Sequence, residues 1–279
     1  MRILILSFIC FISYSLPVTF YPILAAKYGI SSFVIGVIMA SFTVGGIIIS
    51  LLLSKFMKEI GKKYLLTGSI FTLGITMLLF SLLEHLNSKT AFILLSFFIR
   101  TLHGICYGII DTTIYAYVLS SYPNDMKKKI VLLEVGFGVS NSVGAFLGEQ
   151  MYRIGGASLP FLSFAALYLA IAYPALRTLP EEKPLKVSFV QESLISTREG
   201  STISSTLEFK PLTESTLFIS IILISFNYFA ILAFILTILP IYMIESGAEG
   251  STSVLFLLLS GSYAVSSILF TFYVQMPFK

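Results

Sequence analysis

One basic and one acidic residue interrupt a long uncharged stretch of the chain: Arg100 and Asp111, with Gly104 and Gly108 between them. At about 100° per residue, an offset of eleven returns to within about 20° of the start, so a helix carries these residues on one face. The glycines would let a neighbouring helix approach closely. A charge at bilayer depth is costly unless it faces protein or water, and Arg100 near the middle of a span, with Asp111 about three turns further on, suits a site for a solute or for protons. A structural ion pair clamping the helices is a second reading of the same residues. Glu134 opens the next uncharged stretch at a depth comparable with Asp111, and Gly138, Gly144 and Gly148 follow it as a small-residue stripe. A carboxyl held among apolar groups suits a proton carrier. Equally, Glu134 could cap and anchor its helix behind Lys127, Lys128 and Lys129. Glu149 reads as interfacial, and His103 and His85, the latter beside Glu84, read as structural.

The elements that must position these groups are membrane spans. Of 279 residues, 56% are hydrophobic and 11% charged, and the mean hydropathy is +0.93, well away from the balance of soluble domains. Uncharged or nearly uncharged runs lie at 3–26, 28–54, 64–83, 90–119, 130–152, 154–176, 215–244 and 250–278. Each supplies the roughly 20 apolar residues that a crossing helix needs, which predicts an all-α membrane protein of eight transmembrane helices. Between the sixth and seventh runs, residues 179–214 change in composition, with Glu, Lys, Ser and Thr and with Pro180, Pro184 and Pro211 as breakers. That segment reads as a linker. The expected organisation is a six-helix bundle over 1–178, a cytoplasmic linker over 179–214, and two helices of a second bundle over 215–279.

The second part repeats the first. Pro22 and Gly29 stand between the first two runs as Pro240 and Gly247 stand between the last two, 218 residues later. Parallel repeats of this kind mark a large class of membrane transporters, with the substrate site at the repeat interface. The second copy stops at Met276-Pro277-Phe278-Lys279, so the expectation is about two-thirds of such a protein, a fragment or a shortened form. Orientation follows from basic residues, which cytoplasmic loops retain. With the N-terminus inside, 14 of the 18 Lys and Arg fall on the cytoplasmic side, three outside and Arg100 within a span. Both termini are then cytoplasmic. The opening run continues to Ala26, too long for a signal-peptide core. Cys10 and Cys106 fall inside spans, where a thiol behaves as a small apolar group.

Several segments resemble the major facilitator superfamily. Ser54 to Lys63, ending Gly61-Lys62-Lys63, is similar to its cytoplasmic signature loop between helices two and three. Leu94 to Gly108, with Arg100 and Gly104, resembles its helix-four motif, and Gly138 to Gly148 with Tyr152 resembles its helix-five glycine motif, associated with exchangers. Tyr21-Pro22, Ala25-Ala26-Lys27, Leu133-Glu134 and Ser262-Tyr263-Ala264 look most like the vesicular amine and polyamine transporter branch. The resemblance implies a secondary transporter of a small solute, with Arg100 in proton coupling and an organic cation exchanged for protons.

The sequence departs from the family pattern in four places, the first being Ser54 where the signature loop opens with Gly. Lys58 stands where the signature loop carries an acidic residue, Ala145 replaces the usual Pro of helix five, and the first span has no carboxylate to hold an amine. A non-transporting regulatory paralogue and a receptor-like polytopic protein remain as alternatives, although the basic-residue asymmetry opposes the receptor. With two histidines in different settings, no catalytic or metal cluster assembles, so neither enzyme activity nor a cofactor is expected. The expected partners are the lipid bilayer, a small solute and protons, and no nucleic acid.

Overall fold

The computed structural model describes residues 2–122 and 125–179, together with single positions 258, 262 and 265. The predicted linker, the seventh and eighth spans and the comparison of the two repeats lie outside the described residues. Within them the chain is helical: α1 (Arg2–Lys27), α2 (Ser32–Glu59), α3 (Lys62–Leu82), α4 (Lys89–Ser121), α5 (Met126–Gly155) and α6 (Ser158–Thr178), with a 3-10 turn over Leu83–His85. All six helices are long and apolar enough to cross a membrane. Large apolar side chains such as Phe33, Ile47, Leu94, Phe98 and Ile154 point outward. Such a surface fits lipid as its solvent, because lipid tails solvate apolar groups as well as a protein core does.

These helices match the first six predicted spans, but some ends overrun the apolar runs, as at the end of α2 and the start of α5, and others fall short, as at the starts of α2 and α6. The loop expected from Ser54 to Lys63 is a turn at Ile60 and Gly61, while Lys55, Lys58 and Glu59 belong to the last turns of α2. Lys127, Lys128 and Lys129, read as flanking α5, lie in its first turn. Hydropathy marks where hydrocarbon ends, whereas Lys and Glu are good helix formers that prolong a helix into the polar layer. Gly61 supplies the left-handed φ of 87° that the reversal needs.

The helices associate chiefly as α2 with α4, α3 with α6 and α1 with α5. At one end of the bundle, Lys89 Nζ donates to the Gly29 carbonyl at 2.5 Å and Tyr28 Oη reaches the carbonyls of Leu83, Glu84 and Leu86. Glu84, read as an outer-loop residue, accepts from the backbone N–H and hydroxyl of Ser158 and so caps α6. At the other end, Lys62 Nζ donates to the Ala116 carbonyl and to Ser120 Oγ at 3.3 and 3.2 Å. A cation there complements the C-terminal end of α4.

Candidate functional site

The site is built on α4. Arg100, His103, Tyr107, Asp111 and Tyr115 recur at three- and four-residue spacing, the periodicity of one helix face. Glycines determine what that face meets. A Cβ on Gly104 would run into the Phe42 backbone carbonyl of α2, and one on Gly45 of α2 would meet the Thr101 carbonyl. Gly108 lies against Gly46 and Ile49. On the other side of the bundle, Gly144 and Gly148 of α5 lie against Ile12, Ser15, Leu16 and Phe20 of α1. Gly138 is buried.

The close approach of α2 brings the Phe42 ring under Arg100, whose Cζ is 4.6 Å from the ring centroid. Arg100 is 2% exposed, and its Nη1 lies 3.2 Å from His103 Nδ1. His103 packs between Phe42 and Phe80 at centroid distances of 5.1 and 6.0 Å. No carboxylate stands within ion-pair distance of Arg100 among the described residues, so the clamp between Arg100 and Asp111 is not formed. Eleven residues separate them by about 16 Å along the helix.

Asp111 instead lies within electrostatic reach of Glu134 on α5 and of Tyr107. Both carboxylates are half-buried. Tyr115 Oη donates a hydrogen bond to Glu134 Oε1. Rings continue from this pair into the bundle: Tyr107 meets Tyr14 at 5.7 Å and Phe42 at 5.5 Å, and Phe137, one turn beyond Glu134, meets Tyr14 at 5.8 Å and Phe11 at 5.4 Å. Asp111 thus has Glu134 within electrostatic reach, whereas Arg100 is set apart with His103. Glu149, expected at the interface, is buried and paired with Arg153 one turn on.

Tyr107 and Tyr115 were not singled out from the sequence, although both fall on the stripe that Arg100 and Asp111 define. Phe42, Tyr14 and Phe137 left no signal. An aromatic residue in an apolar run reads the same whether it faces lipid or a neighbouring ring.

A profile of the Major Facilitator Superfamily matches residues 3–277. The chain belongs to that superfamily. It is therefore an integral, multi-pass membrane protein of a transporter family. The curated relatives that match are each described as MFS-type transporter SLC18B1. That of Mus musculus is 29% identical over 184 residues, covering 64% of this chain and 40% of the relative. That of Rattus norvegicus is 28% identical over 160 residues, covering 57% and 35%. The Homo sapiens protein is 25% identical over 178 residues, covering 63% and 39%. The chain thus spans about two-fifths of the length of these relatives, and the similarity agrees with the branch that its sequence resembles. In the segment that resembles the superfamily's signature loop, Gly61 makes the turn, and Lys62 docks that turn on α4, the helix that carries Arg100 and Asp111.

Proposed function

We propose that this chain carries a small organic cation, an amine, across the membrane in exchange for protons, with Asp111 and Glu134 holding the cation and the protons in turn. The juxtaposition of the two half-buried carboxylates supports this reading most strongly. Two like charges in apolar surroundings repel each other, and an ammonium or a proton between them relieves the repulsion. The rings of Tyr107, Tyr14 and Phe137 beyond them offer the faces that an organic cation prefers. The carboxylate missing from the first span is in this way replaced by one on α4 and one on α5. Arg100, on the helix-four motif, is the coupling candidate in the same bundle. The test is uptake of a labelled primary amine into proteoliposomes with an acid interior. Saturable uptake that collapses with a protonophore is expected. Uptake indifferent to the gradient, or the absence of saturable uptake for every amine tried, overturns the reading.

The same proposal places both termini on the cytoplasmic side, 1–178 as the first bundle, 179–214 as a cytoplasmic linker and 215–279 as the start of the second bundle. The distribution of Lys and Arg supports it. Single cysteines placed at Asn87 should react with an impermeant thiol reagent on intact cells, and cysteines at Lys63 or Lys128 should react only after permeabilisation. The reverse pattern inverts the topology.

A further inference from the structure

Among the described residues, Arg100 is a buried cation without a carboxylate partner. Among those residues its Nε makes no hydrogen bond, and the hydroxyls of Ser96, one turn earlier on α4, and of Tyr21 on α1 have no partner beyond each other. These three residues are 0 to 2% exposed. Tyr21 Oη lies beside the Ser96 hydroxyl, near enough to interact with it, and within electrostatic reach of Arg100. The rings place them independently: Tyr21 packs on Phe92, one turn before Ser96, at 6.0 Å and on Phe80 at 6.4 Å, and Phe80 in turn meets His103, the hydrogen-bonding partner of Arg100, at 6.0 Å.

The chemistry of the orphaned atoms is one-sided. Arg100 Nε–H can only donate, and the hydroxyl pair of Tyr21 and Ser96 keeps at least one proton to donate. Buried donors left unmade are costly, and such groups in native proteins normally mark an unseen water or ion. Water would satisfy the hydrogen bonds but leave the positive charge uncompensated, and a buried charge needs a counter-ion. The Phe42 ring face against the guanidinium offsets the charge only in part. We propose that Arg100, Ser96 and Tyr21 form a buried site for a small monovalent anion, a halide such as chloride, that serves as the counter-ion of Arg100. The site is distinct from the carboxylate pair, which lies about three turns further along α4, and does not depend on the amine reading.

The test is the melting temperature of the purified full chain in detergent, titrated with sodium chloride or bromide against sodium gluconate at constant ionic strength. Gluconate is too large for a fully buried pocket. Saturating halide should raise the melting temperature by roughly 5 °C. In Ser96→Ala and Tyr21→Phe, each missing one donor to an anion, the half-saturating halide concentration should rise by about tenfold, and Arg100→Gln should lose the halide dependence. Identical melting in chloride and gluconate means that the orphaned donors hold only water, and the proposal fails. A halide effect that persists unchanged in Ser96→Ala and Tyr21→Phe marks an adventitious surface ion only and overturns it equally.

Discussion

Replacing Gly104 by alanine should sharply lower the melting temperature and drive α2 away from α4. The new Cβ would meet the carbonyl oxygen, carbonyl carbon and Cα of Phe42. These are backbone atoms of a helix, so no side chain can rotate out of the way and α2 itself must shift. Gly45 makes the reciprocal approach to Thr101 in the same crossing, which leaves no slack nearby. Overpacking of a closed core costs about 1–3 kcal/mol where side chains give, and a backbone collision belongs at or beyond the top of that range, about 3 kcal/mol. That is roughly a hundredfold loss in the ratio of folded to unfolded protein. Gly36→Ala and Gly136→Ala are the internal controls. Both positions are helical with nothing within 4 Å of an added Cβ, so alanine there should gain about 0.5–1 kcal/mol from helix propensity. Thermal melts in detergent measure all three. A Gly104→Ala protein that melts with the controls would mean that the crossing is wider than described, and the placement of Phe42 beneath Arg100 would go with it.

The comparison between sequence and structure divides along this contact. Six spans were legible because an uncharged run of about 20 residues has few other uses. That Arg100 and Asp111 share a face was legible too, since an offset of eleven is close to three whole turns. Sharing a face did not mean meeting: the same eleven residues hold the two charges apart along the axis. What each group meets instead depends on which helices pair, and spacing along one helix carries no such information. Tyr115 reaches Glu134 across an interhelical gap, and Phe42 reaches Arg100 because four glycines on α2 and α4 bring two backbones together. The small residues on α4 and α5 were visible as stripes, but their partner helices were not. Helix ends were misplaced by up to five residues at α2, where Lys55, Lys58 and Glu59 are charged yet helical, because polarity reports the solvent and not the backbone.

Asp111→Asn and Glu134→Gln should each abolish gradient-driven amine uptake per folded molecule while leaving the protein in the membrane. Each exchange keeps the side chain's size and hydrogen-bonding capacity and removes the charge. Truncating one partner of a desolvated, hydrogen-bonded charge pair costs about 2–5 kcal/mol, which is roughly 30-fold to several-thousandfold in uptake. If the two carboxylates hold one cation between them, the double variant should be little worse than either single one, since groups that act as a unit are non-additive. Tyr115→Phe removes only the hydroxyl that positions Glu134, and its uptake should fall by about tenfold with the ring packing intact. The rival account makes Glu134 an anchor for the start of α5. In that case Glu134→Gln and Tyr115→Phe should lower abundance and melting temperature, whereas Asp111→Asn, with no hydrogen bond to lose among the described residues, should leave both unchanged. Uptake normalised to folded protein separates the two accounts. Normal coupled uptake in both Asp111→Asn and Glu134→Gln would remove the carboxylate pair from the transport cycle and leave the rings of Tyr14, Tyr107 and Phe137 as the sole cation-binding groups proposed in this bundle.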